Sequence, residues 1–448
     1  MSISDTGVLV LADDLSGAAE AAVTLGTAVR IILSSPDPDD YSLEIGADSS
    51  SDVAVDLDCR YVSPAAAASR TRNALASPGH EERFTVIKID SLLRGNIAAH
   101  LSAALDRSSG PVLFAPALPQ QNRTVVDGVP LVDGIRLDET TAWDVEDGSA
   151  PTHLRDLCPE PPAHLDLRRL RTNEPQELAS RFRAARLVTA DAETMDDLRR
   201  VVALAESVGA LVVGSAAAVR AFADIRSSRP IPPTGSSPSQ ARVDQPGTSE
   251  LPILFAVGTA ADRIDDQLDH LRTQAKVDVF DFPATEVAAW GDDAMALSSA
   301  AERVRQRLTT AHLVVRLTDT GESVDARPLP GLLAELVAQS LTGFGPAHLA
   351  ATGGETARAV LDRLGVRALD TIREIHPGAV LSQVPTTSAR SGARTELCRV
   401  VTRPGGQGDE SSLTLIHEAL SQSTPVQPHH REPQPPPRTF SRTTKENE

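Results

Sequence analysis

Cysteine, lysine and aromatic residues are all scarce in this chain of 448 residues. The three cysteines, at positions 59, 158 and 398, form no CxxC pair and no Cys/His cluster. This argues against a disulfide framework and a structural zinc site, and it predicts a reducing, cytoplasmic location. No apolar run reaches the roughly 18 residues of a membrane span, and the acidic N-terminus does not read as a secretory signal.

Positive charge is also in deficit, since 43 basic residues face 61 acidic ones and the formal net charge is -18. Nucleic acids and anionic membrane surfaces both need a basic face, so neither is expected as a partner. An anionic substrate would require local cations, because the overall field would repel it. Nearly all basic residues are arginines, and Lys88 is the only lysine before position 276.

What the chain does contain is a repeated alternation of short apolar runs and helix-like stretches. Strands are predicted at 7–12, 29–33, 53–58, 84–90 and 112–117, with helices at 16–25, 63–75 and 97–105 between them. Apolar runs without alternation are typical of buried parallel strands. The same alternation of apolar runs and helix-like stretches continues at 187–215 and again over 251–364. It predicts an α/β fold of two domains, each a largely parallel sheet flanked by helices.

Composition divides the chain into four segments. Residues 226–250 are rich in Ser, Pro, Gly and Gln and contain almost no large apolar side chain, so they are predicted to be a linker. The polar, proline-rich segment 421–448 is predicted to be a disordered tail without a catalytic role. The two domains are therefore predicted at 1–225 and 251–420.

Two acidic residues follow the first strand at the point where a helix begins. Asp13 and Asp14 come directly after the apolar run and precede Ser16 and Gly17. Ligands of parallel sheets bind beyond the carboxyl ends of the strands, and the free N–H groups of a helix start can receive an anion. One carboxylate is enough to cap the helix. The pair therefore predicts a functional carboxylate beside a cap, and which residue has which role stays open.

A second cluster follows a neighbouring predicted strand. KIDSLLRGN at 88–96 offers an ammonium, a carboxylate, a hydroxyl, a guanidinium and an amide within nine residues. Arg94 can clamp a carboxylate bidentately, and Lys88 supplies a compact point charge. In the structural alternative, Asp90 and Ser91 only cap the next helix and Arg94 is a solvated charge. The loop after 112–117 carries Arg123 and leads into a hairpin with Asp-Gly turns at 127–128 and 133–134.

Three glycine-containing turns follow strands in the second part of the chain. They are VGTA at 257–260, TGGET at 352–356 and RPGGQGD at 403–409. Glycine lets a backbone approach a ligand closely, and a helix start favours a phosphate. None of the turns matches the P-loop or the dinucleotide fingerprint. Together they indicate a nucleotide site more strongly than any one of them does.

At these motifs the chain resembles the four-carbon acid sugar kinase family, the ATP-dependent kinases of tetronates and oxo-tetronates. The resemblance rests on ADDLSGA at 12–18, KIDSLLRGN at 88–96, PALPQQNRTVVDG at 116–128, TGGET at 352–356 and GGQGD at 405–409. It implies an N-terminal domain that binds the sugar acid, a C-terminal domain that binds ATP with Mg²⁺, and an active-site cleft between them. Transfer to the terminal hydroxyl would give a 4-phosphate.

The resemblance also assigns residues by position. The catalytic set is Asp14, Asp13, Lys88 and Arg94. The substrate-binding set is Arg60, Asp90, Ser91, Gly95, Asn96 and Arg123. The nucleotide-binding set is Thr259, Gly353, Gly354, Glu355, Gly405, Gly406 and Gly408, and no metal ligand from the protein is expected.

In the mechanism that this assignment implies, Asp14 or Asp13 is the base and Arg94 and Arg60 clamp the substrate carboxylate. Lys88 stabilises the transferring phosphoryl group, and magnesium bridges the ATP oxygens.

The chain departs from the family pattern mainly in its last glycine-rich loop. The family usually has a lysine, a serine and a phenylalanine at the positions of Arg403, Pro404 and Gln407, and a serine at that of Thr259. Loss of the aromatic side chain would alter nucleotide packing, so an alternative is a sugar-acid-binding regulatory protein that has lost phosphotransfer. Large α/β enzymes of this type often dimerise, which leaves a homodimer open, and the sequence does not identify the tetronate.

Overall fold

The computed structural model describes residues 6–35, 43, 45, 49–144, 146, 148–228, 251–258, 264–319, 321, 324–385, 396–405 and 407–422. The predicted linker lies outside the described residues except for 226–228, and the predicted tail does so from 423 onward. Two residues of the predicted nucleotide set, Thr259 and Gly406, also lie outside them.

The described strands are short, mostly buried runs. In the N-terminal half they are β1 (Val8–Ala12), β2 (Arg30–Leu33), β3 (Val53–Asp56), β4 (Phe84–Lys88), β5 (Val112–Ala115), β6 (Arg123–Val126), β7 (Val129–Val132), β8 (Ile135–Arg136), β9 (Ala163–Leu165), β10 (Leu187–Ala190) and β11 (Leu211–Gly214). In the C-terminal half they are β12 (Ile253–Val257), β13 (Val277–Pro283), β14 (His312–Thr318), β15 (Pro346–Thr352), β16 (Ala368–His376), β17 (Ala379–Gln383) and β18 (Glu396–Arg403).

Helices connect most of these strands. They are α1 (Leu15–Leu25), α2 (Pro64–Ala74), α3 (Ile97–Arg107), α4 (Leu167–Thr172), α5 (Pro175–Arg183), α6 (Met195–Ser207), α7 (Ala216–Ser227), α8 (Ile264–Gln274), α9 (Ala284–Ala289), α10 (Ala294–Leu308), α11 (Leu329–Leu341), α12 (Gly354–Arg363) and α13 (Ser412–Ser421).

Three predicted strand ends, those of β3, β4 and β5, were wrong by two residues. β3 ends at Asp56 rather than at 58, because Asp58 takes a left-handed conformation with φ 45°. β4 ends at Lys88 rather than at 90, because the Asp90 carboxylate accepts the backbone N–H of Leu92 and turns the chain. β5 ends at Ala115 rather than at 117, since Pro116 has no N–H group to donate to the ladder. All three corrections shorten a strand at its carboxyl end.

Fifteen of the described strands form one continuous sheet, in the order β13-β14-β12-β15-β18-β17-β16-β2-β3-β1-β4-β11-β5-β10-β9. The first five and the last eight are parallel blocks, which confirms the α/β class. The sequence predicts the two blocks as separate sheets. The structure joins them through the antiparallel strands β17 and β16, and β16 pairs with β2 of the N-terminal half.

The twist of the sheet brings the two parallel blocks close to each other. Three antiparallel pairings separate the blocks, so their strands run in opposite directions along the sheet. Neighbouring strands rotate by roughly 20 to 25°, so the six steps from β15 to β1 turn the sheet by roughly 120 to 150°. The start of α12 consequently meets the start of α1: a Cβ atom on Gly354 would lie 2.8 Å from Ser16 Oγ.

Two apolar clusters cover opposite faces of the C-terminal block. Ala256 of β12 belongs to the cluster that includes α12, whereas its neighbour Val257 belongs to the cluster formed with α8 and α13. Because α8 follows β12 and α12 follows β15, the chain switches faces between two adjacent strands. Open α/β sheets bind their ligands at such a switch point.

A buried ion pair fastens α12 to the N-terminal half. Arg358 lies 2.6 Å from Asp56, the last residue of β3, and 2.9 Å from Asp362 on its own helix. The Arg358 and Asp56 side chains are 4% and 0% exposed. Arg30 and Asp370 form a second pair across the β2–β16 junction at 2.9 Å, with the arginine side chain 50% exposed.

We expect Arg358→Leu to lower the free energy of unfolding by about 3 to 5 kcal/mol, because it leaves the Asp56 carboxylate buried without its counter-charge. Urea unfolding of the full chain measures this loss. Arg30→Leu is the matched control, since it removes an exposed pair between the same two halves and should cost at most about 1 kcal/mol. Equal losses in the two variants would contradict the proposed importance of the buried pair.

Candidate active site

Three neighbouring strands deliver charged side chains to one edge of the sheet. Asp13 and Asp14 follow β1, Arg60 follows β3 and Lys88 ends β4. The Asp13 carbonyl accepts the backbone N–H groups of Cys59 and Arg60 at 2.9 and 3.2 Å. These backbone contacts place the Arg60 loop directly against the two carboxylates.

Arg60 binds both aspartates, which differ in their surroundings. Its Nε and Nη2 donate to the two Asp13 oxygens at 2.9 and 2.8 Å, and Nη1 donates to Asp14 Oδ2 at 2.9 Å. The Asp13 side chain is 1% exposed and that of Asp14 is 21% exposed. Burial alone would raise the pKa of Asp13, but the charge and hydrogen bonds of Arg60, together with the charges of Lys88 and His100, hold that pKa below its usual value.

Asp14 is also the cap of α1, because its Oδ1 accepts the Gly17 N–H at 2.8 Å. The structure thus shows which aspartate caps the helix. Capping does not withdraw Asp14 from the site, since it remains the more exposed of the two carboxylates. Asp13 instead acts as the buried anchor of Arg60.

The end of β1 and the start of α1 form a corner around Asp13, Asp14 and Ser16. Lys88 reaches this corner beneath the first turn of α1. Its Nζ lies 3.8 Å from Glu20 Oε2. A Cβ atom on Gly17 would lie 2.7 Å from Lys88 Nζ and 2.7 Å from Asp14 Oδ1. Position 17 therefore has no room for a side chain, because α1 passes directly over the ammonium group.

The turn after β4 is internally neutralised. Arg94 Nε and Nη2 each donate to Asp90 at 2.8 Å. Burial would raise the pKa of Asp90, but the hydrogen bonds from Arg94 and the nearby Arg60 charge hold it well below its usual range. The Asp90 hydrogen bonds in turn raise the pKa of Arg94. Arg94 therefore stands as one half of a protein ion pair rather than as a free clamp.

Gly95 and Asn96 support the Arg60 loop. Gly95 has φ 81°, and a Cβ atom there would lie 2.8 Å from Arg60 Cγ. Asn96 Nδ2 donates to the carbonyl groups of Cys59, Arg60 and Val62 at 2.9, 3.1 and 2.8 Å. These two residues hold the arginine in position, and the Asn96 amide nitrogen is fully engaged in doing so.

Arg123, the first residue of β6, comes from the hairpin and faces the turn after β4. Its Nη1 donates to Ser91 Oγ, and it forms no ion pair with any residue that the structure describes. Burial lowers the pKa of Arg123.

The Asp191 carboxylate fixes the hairpin by accepting the N–H groups of Asp127 and Gly128 at 2.8 Å. Both of these turn residues have positive φ, as the predicted Asp-Gly turn requires.

The C-terminal half adds the start of α12 to this corner. A Cβ atom on Gly354 would lie 3.4 Å from Asp14 Oδ2, and Gly353, at the N-cap with φ 94°, makes no side-chain cap. Burial, followed by the charge of Asp58, raises the pKa of Glu355. The uncapped N–H groups at the start of α12 thus lie beside Asp14, in the arrangement that favours an anion.

The other glycine turns lie next to this helix start. Gly353 N–H donates to the Arg403 carbonyl at 2.8 Å, which places the loop containing Gly405 and Gly408 beside it. A Cβ atom on Gly258, after β12, would lie 1.9 Å from Thr356 Oγ1 of α12. The carboxyl ends of β12, β15 and β18 therefore converge on one region.

Two residues of the site, Glu20 and Glu146, were missed by sequence reasoning. Glu20 lies one helical turn after Gly17 of the ADDLSGA motif, so the helix period could have indicated it. Glu146 lies 3.9 Å from Arg94 Nη1 and accepts a 3.4 Å hydrogen bond from Tyr61. Glu146 is far along the chain from both partners, and no local sequence signal identifies it.

Within the described ranges, no three His, Cys, Asp or Glu side chains are arranged to hold a metal ion. The helices of the same ranges include none that is long and apolar enough to cross a membrane.

We expect Gly17→Ala to lower the free energy of unfolding by about 1 to 3 kcal/mol, because the new methyl group overlaps Lys88 Nζ and Asp14 Oδ1. Gly331→Ala is the matched control, since Gly331 is also the third residue of its helix and a Cβ atom there meets nothing within 4 Å. The free energy of unfolding of Gly331→Ala should rise by up to about 1 kcal/mol, because alanine has a higher helix propensity than glycine. Stabilisation by Gly17→Ala in urea unfolding would contradict the described packing.

Two family models match consecutive parts of the chain. A sugar-binding N-terminal domain matches residues 8–222, and a nucleotide-binding C-terminal domain matches residues 254–413. A D-threonate kinase of Cupriavidus necator is 31% identical over 93% of this chain and 98% of its own length. A D-threonate kinase of Bordetella bronchiseptica is 27% identical over 92% of this chain and 96% of its own length.

Solved structures share the fold at lower identity. A Salmonella typhimurium LT2 protein described as a tRNA synthase superposes with a TM-score of 0.71 at 17% identity, covering 92% of this chain and 99% of that one. A Haemophilus influenzae protein superposes with a TM-score of 0.65 at 16% identity, covering 92% and 100%.

Proposed function

Since this chain belongs to the four-carbon acid sugar kinase family, we propose that it transfers the terminal phosphoryl group of ATP to the terminal hydroxyl of a four-carbon acid sugar. The product is the 4-phosphate. The names of the relatives make D-threonate the first acid to test, ahead of erythronate and the oxo-tetronates. Because those kinases align with both halves of the chain, we favour catalysis over the regulatory alternative.

One observation carries the proposal: the start of α12 lies against the corner formed by Asp14 and Ser16. The corner belongs to the sugar-binding match and α12 to the nucleotide-binding match. In our proposal the N-terminal domain, 1–225, binds the sugar acid and the C-terminal domain, 251–420, binds ATP. Their contact then brings the hydroxyl and the phosphoryl group together.

The C-terminal turns suit a nucleotide phosphate. The first N–H groups of α12 have no side-chain cap, and Gly353 and Gly354 bring backbone to the corner without side chains. Helix N-termini of this kind favour phosphate. Magnesium supplied with ATP neutralises charge on the phosphate oxygens. We propose that Gly353, Gly354, Gly405 and Gly408 line this phosphate site.

Asp14 is the better candidate for the base. Asp13 is buried with both oxygens bound to Arg60, and its lowered pKa makes it a poor proton acceptor. Asp14 is partly exposed and faces α12. In the proposed step it takes the proton of the terminal hydroxyl while the hydroxyl oxygen attacks the phosphoryl group and ADP leaves.

Lys88 and Arg123 are the better candidates for binding the anionic groups. Arg60 and Arg94 already donate bidentately to aspartates, so less of their charge is available. Among the described residues, the carboxylate paired with Lys88 lies 3.8 Å away, and Arg123 donates to the Ser91 hydroxyl. We propose that Arg123 and Ser91 hold the substrate carboxylate and that Lys88 faces the transferring phosphoryl group.

We expect Asp14→Asn to lower kcat for D-threonate by about 10² to 10⁴, because asparagine keeps the helix cap but cannot accept the proton. ADP release with ATP, Mg²⁺ and a panel of tetronates measures this change. Asp166→Asn is the matched control: Asp166 caps α4 by accepting the Arg169 N–H at 2.8 Å, far from the corner, and its loss should leave kcat unchanged.

Full turnover by Asp14→Asn would contradict the assignment of the base. Absence of tetronate-dependent ADP release from the wild-type protein, across the whole panel, would contradict the proposed function itself.

A further inference from the structure

One buried cation of the C-terminal half has no counter-charge among the described residues. The Arg403 side chain ends β18 and is 1% exposed. Its Nη1 donates to Gln267 Oε1 at 2.8 Å and to Ser412 Oγ at 2.6 Å. Its Nε and Nη2 are buried without a hydrogen-bond partner, and no carboxylate of the described residues pairs with it.

Such an arrangement is costly unless a ligand completes it. A buried guanidinium usually has a carboxylate and satisfied N–H groups, because burying an unpaired charge is strongly unfavourable. Burial lowers the pKa of Arg403 to about 10, so the side chain remains charged at neutral pH. Two N–H donors on one edge of a planar cation match two oxygens of a phosphate group.

The surroundings of Arg403 also favour an anion. The guanidinium lies at the start of α13 through its bond to Ser412, and no side chain caps this helix. A Cβ atom on Gly408, with φ 97°, would lie 3.1 Å from Arg403 Nη1, so only glycine lets the loop pass there. Asp409, the nearest acidic residue in the loop, is bound instead to the Ser411 hydroxyl at 2.6 Å.

We propose that Arg403 is an anion receptor for a phosphate group of the nucleotide. The inference rests on the proposed function and adds to it a charged side chain, that of the last residue of β18, beside the glycines. The Arg403 carbonyl accepts the Gly353 N–H. Arg403 therefore lies beside the start of α12, where the carboxyl ends of β12, β15 and β18 meet.

Calorimetric titration of the full chain with ADP, inorganic pyrophosphate, adenosine and D-threonate tests this assignment. We expect Arg403→Leu to weaken ADP and pyrophosphate binding by about 10- to 100-fold, the value of charge-assisted hydrogen bonds. Adenosine and D-threonate binding should not change, since neither has a phosphate. Arg403→Lys, which keeps the charge, should bind ADP within about fivefold of the wild type.

Arg399→Leu is the matched control, because Arg399 lies on the same face of β18 and donates to the Gln422 carbonyl at 2.6 Å, away from the glycine turns. Equal ADP affinity in Arg403→Leu and the wild type would overturn the inference. Loss of pyrophosphate binding alone, with ADP binding intact, would assign the site to a free phosphate and overturn the nucleotide role.

If Arg403→Leu does not fold, the wild-type protein and Arg403→Lys decide the question. Pyrophosphate must then displace ADP competitively from both, and failure to compete overturns the inference. A wild-type protein that binds no ADP at all contradicts the proposed function rather than the role of Arg403.

Discussion

The bridge from Arg60 to Asp13 and Asp14 is the interaction on which the rest of the site depends. Three donors of one guanidinium bind two adjacent carboxylates that would otherwise repel each other at the end of β1. The backbone of Asp13 and the amide of Asn96 hold the Arg60 loop, and Gly95 leaves room for its side chain. This bridge keeps Asp14 oriented and partly exposed at the contact with the C-terminal half.

The second requirement is that the C-terminal half arrives at this corner in a defined position. The strands β17 and β16 join the two parallel blocks, and the sheet twist turns the end of β15 towards β1. The buried pair between Arg358 and Asp56 then fastens α12 to β3. As a result the uncapped start of α12 lies beside Asp14, and residues of both halves line the candidate site.

Local signals were sufficient for much of the fold. Apolar runs predicted the parallel strands, and the Asp-Gly pairs predicted the hairpin, because each depends on a few adjacent residues. The β2–β16 pairing joins residues about 340 positions apart, such as Arg30 and Asp370, and has no local signal. In the site, strand ends predicted where the charges lie. They could not predict that Arg94 pairs with Asp90, since a long side chain can reach several carboxylates.

The central claim is that the terminal hydroxyl of a bound sugar acid meets the phosphoryl group at Asp14. Proton-coupled ³¹P NMR of the product formed from D-threonate, ATP and Mg²⁺ tests it most directly. A phosphate ester on the terminal CH₂ group couples to two protons with similar coupling constants, so the account predicts a triplet-like signal. A doublet, from transfer to a secondary hydroxyl, or inorganic phosphate alone, from transfer to water, would contradict it.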